Sequence, residues 1–412
     1  MKILWVKADR LLPVENGGNI RSYHIARHLA AKHPLTFFSY YGGARDASYE
    51  AELGREFPEA LCLYTGKPDA SGLGKTANYL QHLLDPLPYA VSRFACPAVK
   101  AQLRRWFEER AFEVVVCDFL DAAVNFPATL SIPSVLFQHN VETEIWRRHA
   151  SNGSGMMKKM AYGMEARKMQ RYEMEMARSF HHVIAVSESD RRLMSAWTDP
   201  ARISAVPTGV DLRQFRADLG RTAAEPLVMF VGAMDWMPNV DGVKYFCREI
   251  WPAILARVPG ARFRIVGRNP LAGVQQLASD RVAVTGKVPS VVEHLREAAV
   301  VVVPLRVGGG TRLKIYEAMA MGRAVVSTTI GAEGLDVKHG NDILLADDPA
   351  RFADEVATLL THVVRRRELE RAAAESAARF DWPRVGARFE EILEAQLLAE
   401  RSATIGKSLA MA

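Results

Sequence analysis

The sequence predicts an α/β protein built from two doubly wound, Rossmann-like domains. Most strand candidates are unbroken Val/Ile/Leu runs, not alternating ones, which is how strands covered on both faces of a parallel sheet read. Helical patterns alternate with them along the whole chain. The chain has 412 residues, too many for one ordinary core and enough for two domains of about 200 residues each.

The strand candidates of the first half are Lys2–Val6, Leu35–Tyr40, Leu61–Tyr64, Val114–Cys117, Ser134–Gln138, Val183–Val186 and Ile203–Val206. Those of the second half are Leu227–Val231, Phe263–Val266, Val282–Thr285, Ala299–Val303, Ala324–Ser327 and Ile343–Leu345. Between them lie helical patterns such as Asn19–Lys32, Ala98–Arg110, Val240–Arg257 and Ala350–Val364. Strand and helix signals fade from Pro207 to Pro226, which sets the boundary between a domain of residues 1–206 and one of residues 207–384. Asp381-Trp382-Pro383 breaks a helix, a helical pattern resumes over residues 385–400, and residues 401–412 read as a frayed tail.

An apolar content of 49% is that of a globular protein. Cys62, Cys96, Cys117 and Cys247 are widely spaced and form neither a zinc-type nor a redox pair, so a reduced, cytoplasmic setting is expected. Asp9 and Arg10 interrupt the first apolar run before a signal-peptide core can form, and Ala298–Leu305 is too short to span a bilayer. The formal charge of +6 is partly local. Lys158, Lys159, Arg167, Lys168, Arg171 and Arg178 are interleaved with methionines and tyrosines, a composition suited to an anionic membrane surface or to an ordinary amphipathic helix. No recognition module or stacking platform for nucleic acid is found.

The segment with the most chemistry is Gly308-Gly309-Gly310-Thr311-Arg312-Leu313-Lys314, leading through Glu317 to Gly322. Glycines following a buried strand let the backbone approach a ligand, and the first turn of a helix, expected over Thr311–Met321, offers unpaired N–H groups. Arg312 and Lys314 add two cations to that turn, which suits a diphosphate better than a single carboxylate. Glu317, on the same face as Lys314, is placed to accept hydrogen bonds from ribose hydroxyls. The segment is neither a Walker loop nor a dinucleotide fingerprint.

In doubly wound sheets, ligands bind beyond the carboxyl ends of the strands. Gly17-Gly18, Asp118 and Asp121, His139-Asn140 with Glu142, and Ser187 with Glu188 and Asp190 take such positions in the first half. Gly232 to Asp241, Gly267-Arg268, Gly286-Lys287 and the triple-glycine segment take them in the second. Two sheets whose strand ends face one cleft would bring these loops together.

The chain resembles the retaining glycosyltransferases of group 1, or family 4, with the GT-B fold. The resemblance runs through most of the chain and is strongest from Val183 to Phe389. It is carried by Ala185-Val186-Ser187-Glu188, Val206-Pro207-Thr208-Gly209-Val210-Asp211, Phe230-Val231-Gly232, Val266-Gly267, Gly286, Val303-Pro304-Leu305, Glu317-Ala318-Met319-Ala320-Met321-Gly322 and Trp382. It implies a C-terminal domain that binds a nucleotide-diphosphate sugar, an N-terminal domain that binds the acceptor, and a final helix crossing back to the first domain. Two departures stand out. The family usually carries two glutamates, and the position of the first is Gly309 here. The family also usually places Arg and Lys after the first strand of the C-terminal domain, where this chain has Gly232-Ala233-Met234-Asp235-Trp236-Met237-Pro238-Asn239. Arg312 and Lys314 are expected to supply the missing charge.

The resemblance implies transfer of a sugar, with retention, to an acceptor hydroxyl on a glycan or lipid-linked glycan in exopolysaccharide or cell-envelope synthesis. The protein would then be a peripheral enzyme of the inner membrane face. Arg312, Lys314 and the N–H groups of Gly309, Gly310 and Thr311 are expected to stabilise the leaving diphosphate. Glu317 is expected on the ribose, and Gly286 and Lys287 beside the base. Gly17 and Gly18 are expected to let the first helix approach the diphosphate, or only to form a tight turn. Asp235 and Asn239 are expected either to touch the sugar or to order their own loop. His139 is expected to hydrogen-bond the sugar or shift a proton, with a structural histidine as the alternative, and Asn140 and Glu142 are expected on the acceptor side. No Asp-x-Asp loop is convincing, and Asp347-Asp348 before Pro349 reads as a helix cap, so neither metal nor other cofactor is expected. A sugar-nucleotide epimerase and a non-catalytic binder of the same donor are the competing readings.

Overall fold

The structure, a computed structural model, describes residues 1–66, 85–152, 155–220, 225–308 and 312–411. It divides into two compact units, Met1–Pro207 with Val385–Ala412, and Thr208–Arg384.

Among the described residues of the first unit, the strands are β1 Ile3–Ala8, β2 Leu35–Tyr41, β3 Leu61–Tyr64, β4 Val114–Asp118, β5 Ser134–Gln138, β6 His182–Ala185 and β7 Ile203–Ala205. They form one sheet in the order β3-β2-β1-β4-β5-β6-β7, and every pairing is parallel. All of β1, β2, β4, β5 and β6 is buried, which is why their sequences lack alternation. The strand order reverses between β1 and β4, so the loops after these two strands diverge and leave a crevice at the sheet's carboxyl edge.

The helix Trp382–Met411 closes this unit's core. Phe389 lies 5.8 Å from Trp5 of β1 and 5.0 Å from Phe137 of β5, centroid to centroid. Glu390 accepts a hydrogen bond from Lys32 at 2.7 Å and meets His28 and His33 at 3.1 and 2.8 Å, at the end of the helix Gly17–Ala30. Burial disfavours its charge, but these three partners outweigh that and bring the carboxyl down to about 2. The helix continues to Met411 where a tail was expected from residue 401.

The second unit repeats the plan with β8 Leu227–Val231, β9 Arg262–Val266, β10 Val282–Val284, β11 Val300–Val303, β12 Ala324–Ser327 and β13 Leu344–Leu345. The order is β10-β9-β8-β11-β12-β13, again with parallel pairs. The switch point lies between β8 and β11, so the loop after β8 and residues 304–308 after β11 leave from one crevice. The helix expected as Val240–Arg257 is interrupted. It runs over Met237–Tyr245, widens into a π turn at Phe246–Ile250 and resumes at Trp251–Arg257. Pro252 is the physical cause, since it has no N–H to give and its ring crowds the carbonyl four residues back.

Candidate functional site

In the second unit the glycine segment leads into the helix Leu313–Ala320, two residues later than expected, with Arg312 at the N-cap in a non-helical conformation. Gly309, Gly310 and Thr311 lie outside the described residues. Gly308 has a φ of +126°, and a Cβ there would meet the Arg312 Nη2 at 2.8 Å. Arg312 is 4% exposed, and its guanidinium lies 5.4 Å from the ring centre of Trp236 in the loop after β8.

Lys314 reaches the same loop. Its Nζ donates to Asn239 Oδ1 at 2.8 Å, and Asn239 Nδ2 donates to the Ala233 carbonyl at 2.8 Å. The ammonium also sits over the Phe230 ring at 4.3 Å. A Cβ on Gly232 would lie 2.6 Å from both Lys314 Nζ and Asn239 Nδ2, so glycine is needed for the lysine to enter. The loop that has no cation of its own thus receives one from the neighbouring helix. Burial and the adjacent Arg312 charge pull Lys314 down to about 7, against the pull of Glu317. Burial raises the Glu317 carboxyl to about 7, opposed by Lys314.

The remaining second-unit candidates divide into loop-ordering and open positions. Asn239 is 3% exposed with both ends of its amide used, so it orders its own loop. Asp235 is exposed and accepts from Asn269 Nδ2 at 2.8 Å, tying the loop after β8 to the one after β9. Gly286 has a φ of +73° with open space where a side chain would be, and Lys287 is exposed beside it. Asp348 caps the helix Pro349–Thr361 by accepting from Arg351 N at 2.9 Å, the role the sequence predicts, whereas Asp347 accepts from Thr329 N at 2.8 Å and ties down the loop after β12.

In the first unit, His139 is 1% exposed. Its Nδ1 accepts from Arg21 Nε at 3.2 Å, which leaves the proton on Nε2, 2.8 Å from Asp118 Oδ1. Its ring stacks on Phe119 at 3.7 Å. Burial lowers its pKa to about 3, against the pull of Asp118, so it is neutral near pH 7. Both ring nitrogens are engaged within the first unit, which is the arrangement a structural histidine would have. Asp118 also accepts from Trp5 Nε1 at 3.1 Å and from Lys7 Nζ at 3.3 Å. Burial opposes its ionisation, but Lys7 and His139 prevail and hold it below the usual carboxylate range.

Gly17 opens the helix Gly17–Ala30, which Asn16 caps by accepting from Asn19 N at 2.8 Å. A Cβ on Gly18 would sit 2.4 Å from the Phe119 ring, so this glycine is fixed by packing. Phe119 itself has a φ of +70°, an uncommon conformation for an aromatic residue. The sequence reading missed Lys7, Arg21 and Phe119. The available signal was Lys7 inside an otherwise apolar strand, since a charge buried on both faces must meet an opposite one. Asn140 and Glu142 follow β5, with Asn140 Nδ2 3.4 Å from Glu142 Oε1. Burial, then repulsion from Asp121 and Glu173, raises Glu142 to about 8.

Among the described residues, His33, Glu390 and Glu394 lie close enough together to hold a metal ion, but Lys32 is already 2.7 Å from Glu390. None of the candidate donor-site residues belongs to that group.

Two family models match. Residues 15–214 match the family described as Glycosyltransferase Family 4, and residues 225–362 match the one described as Glycosyl transferases group 1. A Klebsiella pneumoniae protein, named an uncharacterized 44.6 kDa protein in the cps region, is 21% identical over 89% of this chain and 93% of its own length. A D-inositol 3-phosphate glycosyltransferase of Segniliparus rotundus is 29% identical over 55% of each chain, so the match spans about half of that relative. Among solved structures, Anabaena HepE in complex with UDP superposes with a TM-score of 0.67 at 16% identity, covering 96% of this chain and 100% of the other. At that identity the likeness concerns the fold.

Proposed function

Because this chain belongs to the group 1 glycosyl transferases of the GT-B fold, we propose that it moves a sugar from a nucleoside diphosphate to an acceptor hydroxyl with retention at the anomeric carbon. The observation that carries the donor assignment is the convergence of two cations, Arg312 and Lys314, on the loop after β8 at the switch point of the second sheet. Departure of a nucleoside diphosphate builds negative charge on its terminal phosphate. Preorganised cations in a poorly hydrated site stabilise that charge without reorganising. In this reading the cations take the place of a divalent metal, Glu317 holds the ribose, and Gly286 and Lys287 border the base. His139 acts from behind, holding the ends of β4 and β5 through Asp118. The acceptor is proposed to be a glycan or lipid-linked glycan of the envelope. The exposed Met156, Met157 and Met160 beside Lys158 and Lys159 would rest the first unit on an anionic membrane. Among the described residues no helix is long and apolar enough to cross a membrane.

Thermal unfolding with UDP-, GDP-, ADP- and dTDP-sugars tests the donor site. HepE in its complex with UDP supports the uridine nucleotide as the one to stabilise. At a hundredfold excess over Kd, the gain is about 2.7 kcal/mol, and Arg312→Ala is expected to remove it. No stabilisation by any of the four, or an unchanged gain in Arg312→Ala, sinks the donor assignment.

The pH dependence of donor affinity follows from Lys314. Its empty-site pKa is about 7, whereas a bound diphosphate favours the cation and raises it. Between those two values binding takes up a proton, so UDP-glucose affinity falls as pH rises from 7 to 9, by at most about tenfold per pH unit. Lys314→Met is expected to bind weakly and, with Glu317→Gln added so that the neighbouring carboxyl does not titrate in the same range, to show a flat profile. Titration calorimetry at several pH values reads this directly, and a wild-type profile as flat as that of the double variant contradicts it.

A further inference from the structure

The first unit contains a concavity of 370 Å³ that none of the donor residues lines. Its floor is set by two consecutive strand ends. Asp121 lies in the 3-10 turn Leu120–Asn125 after β4, and Glu142 opens the helix Glu142–Asn152 after β5. Its wall is aromatic. Ring centres lie 6.2 Å apart for Trp146 and His149, 6.1 Å for Trp146 and Tyr162 and 5.7 Å for His149 and Tyr162, and Trp146 and Tyr162 are half-buried. Ala90, Ile145 and Arg93 complete the lining.

Among the described residues no hydrogen bond reaches the Asp121 carboxylate, and that of Glu142 receives only the 3.4 Å contact from Asn140. Burial raises Asp121 to about 6, with Arg93 and Lys7 opposing, and Glu142 to about 8. Each carboxyl is therefore readier than an exposed one to keep its proton, and so to donate a hydrogen bond as well as accept one. Hydroxyl groups satisfy both, whereas an anionic ligand would add a further negative charge beside two carboxyls that already repel one another, with Arg93 as the one arginine or lysine in the lining to offset it. The aromatic wall offers a flat apolar surface to the C–H face of a sugar ring, and the volume is in the range of small-ligand sites.

We propose that this concavity seats the acceptor, and that the acceptor's terminal residue is an uncharged, hydroxyl-rich pyranose lying against Trp146 and Tyr162 with its hydroxyls shared between Asp121 and Glu142. The inference rests on the glycosyltransferase reading and adds the class of acceptor sugar to it. Asp121, Trp146 and Tyr162 become specificity-determining residues, and Glu142 gains partners for an otherwise poorly paired carboxyl.

Ligand-observed saturation-transfer NMR on the full chain, with UDP present, tests it. The probes are the methyl glycosides of glucose, galactose and mannose, with methyl glucuronide as the anionic counterpart. At least one neutral glycoside is expected to bind at least tenfold more tightly than the glucuronide. Trp146→Ala is expected to weaken that binding at least tenfold, and Trp146→Phe to retain most of it. Should Trp146→Ala fail to fold by circular dichroism, Asp121→Asn decides, with an expected loss of about tenfold. Absence of binding by all three neutral glycosides, equal binding of the glucuronide, or binding indifferent to the deciding variant overturns the proposal. Calorimetry of UDP on the same samples separates the two readings. UDP binding with silent glycosides removes the acceptor pocket alone. Glycoside binding that follows Trp146 without UDP binding removes the donor site alone.

Discussion

Alanine at Gly267 is expected to destabilise the second unit by about 3 kcal/mol or more and to remove donor binding with it. A Cβ there would lie 1.7 Å from the Gly232 carbonyl oxygen and 2.7 Å from its carbon. Both atoms are backbone, so no change of rotamer relieves the clash. The loops after β8 and β9 would have to separate, and they are joined by Gly232 N to Val266 O at 2.9 Å and by Met234 N to Arg268 O at 2.8 Å. Gly232 is also the residue whose missing side chain admits Lys314. Strain at Gly267 therefore displaces the cation as well as the strand end. Gly54→Ala is the control, because a Cβ on that helical glycine meets nothing within 4 Å and should be neutral or stabilise by about 0.5–1 kcal/mol. Urea unfolding of both variants checks the contrast. A Gly267→Ala midpoint equal to that of wild type would mean that the loops separate without resistance.

Asp118→Ala is expected to cost the first unit about 3–5 kcal/mol, the range for breaking a buried ion pair from one side. The carboxylate is fully buried and accepts from Trp5, Lys7 and His139 at once. Its loss leaves Lys7, 2% exposed, without that counter-charge. Asp118→Asn keeps the shape and loses the charge, so an intermediate loss is expected. The pH dependence has a definite sign. A carboxyl held below its unfolded value of about 3.9 stabilises the fold above that pH and loses its contribution as the pH falls toward the folded value. The gap between wild type and Asp118→Asn should therefore be constant from pH 5 to 7 and narrow only in stronger acid. Chemical denaturation across that range is the measurement, and a gap that widens in acid would mean that Lys7 does not depend on this carboxylate.

The sheets were legible because their strands are buried on both faces, and such strands announce themselves as short apolar runs. β2, β5, β8 and β12 lie within one residue of their expected limits. Helix ends were less legible. Arg312 adopts a non-helical backbone, so the helix begins at Leu313. The π turn at Phe246–Ile250 depends on how one proline is absorbed. In the second unit the candidate residues form a local motif, with glycines and two cations within seven consecutive residues, and of these Arg312 reaches Trp236 and Lys314 reaches Gly232 and Asn239. In the first unit the chemistry is non-local. Lys7 meets Asp118 across 111 residues of sequence and Arg21 meets His139 across 118, separations that leave no periodic trace. The same holds for the pairing of Trp146 with Tyr162, which depends on two helices folding back on one another.

The closing helix has a consequence for synthesis. Trp5 leaves the ribosome well before Phe389, which forms one wall of its surroundings and belongs to the same unit only after the whole of Thr208–Arg384 has been made. At about 5–20 residues per second, the first sheet waits on the order of ten seconds or more with a large aromatic surface uncovered. The second unit, an uninterrupted stretch of chain, has no such wait. The nascent protein is thus set to finish its second half before its first, and in that interval the uncovered face around Trp5 and Phe137 is where a chaperone would be needed.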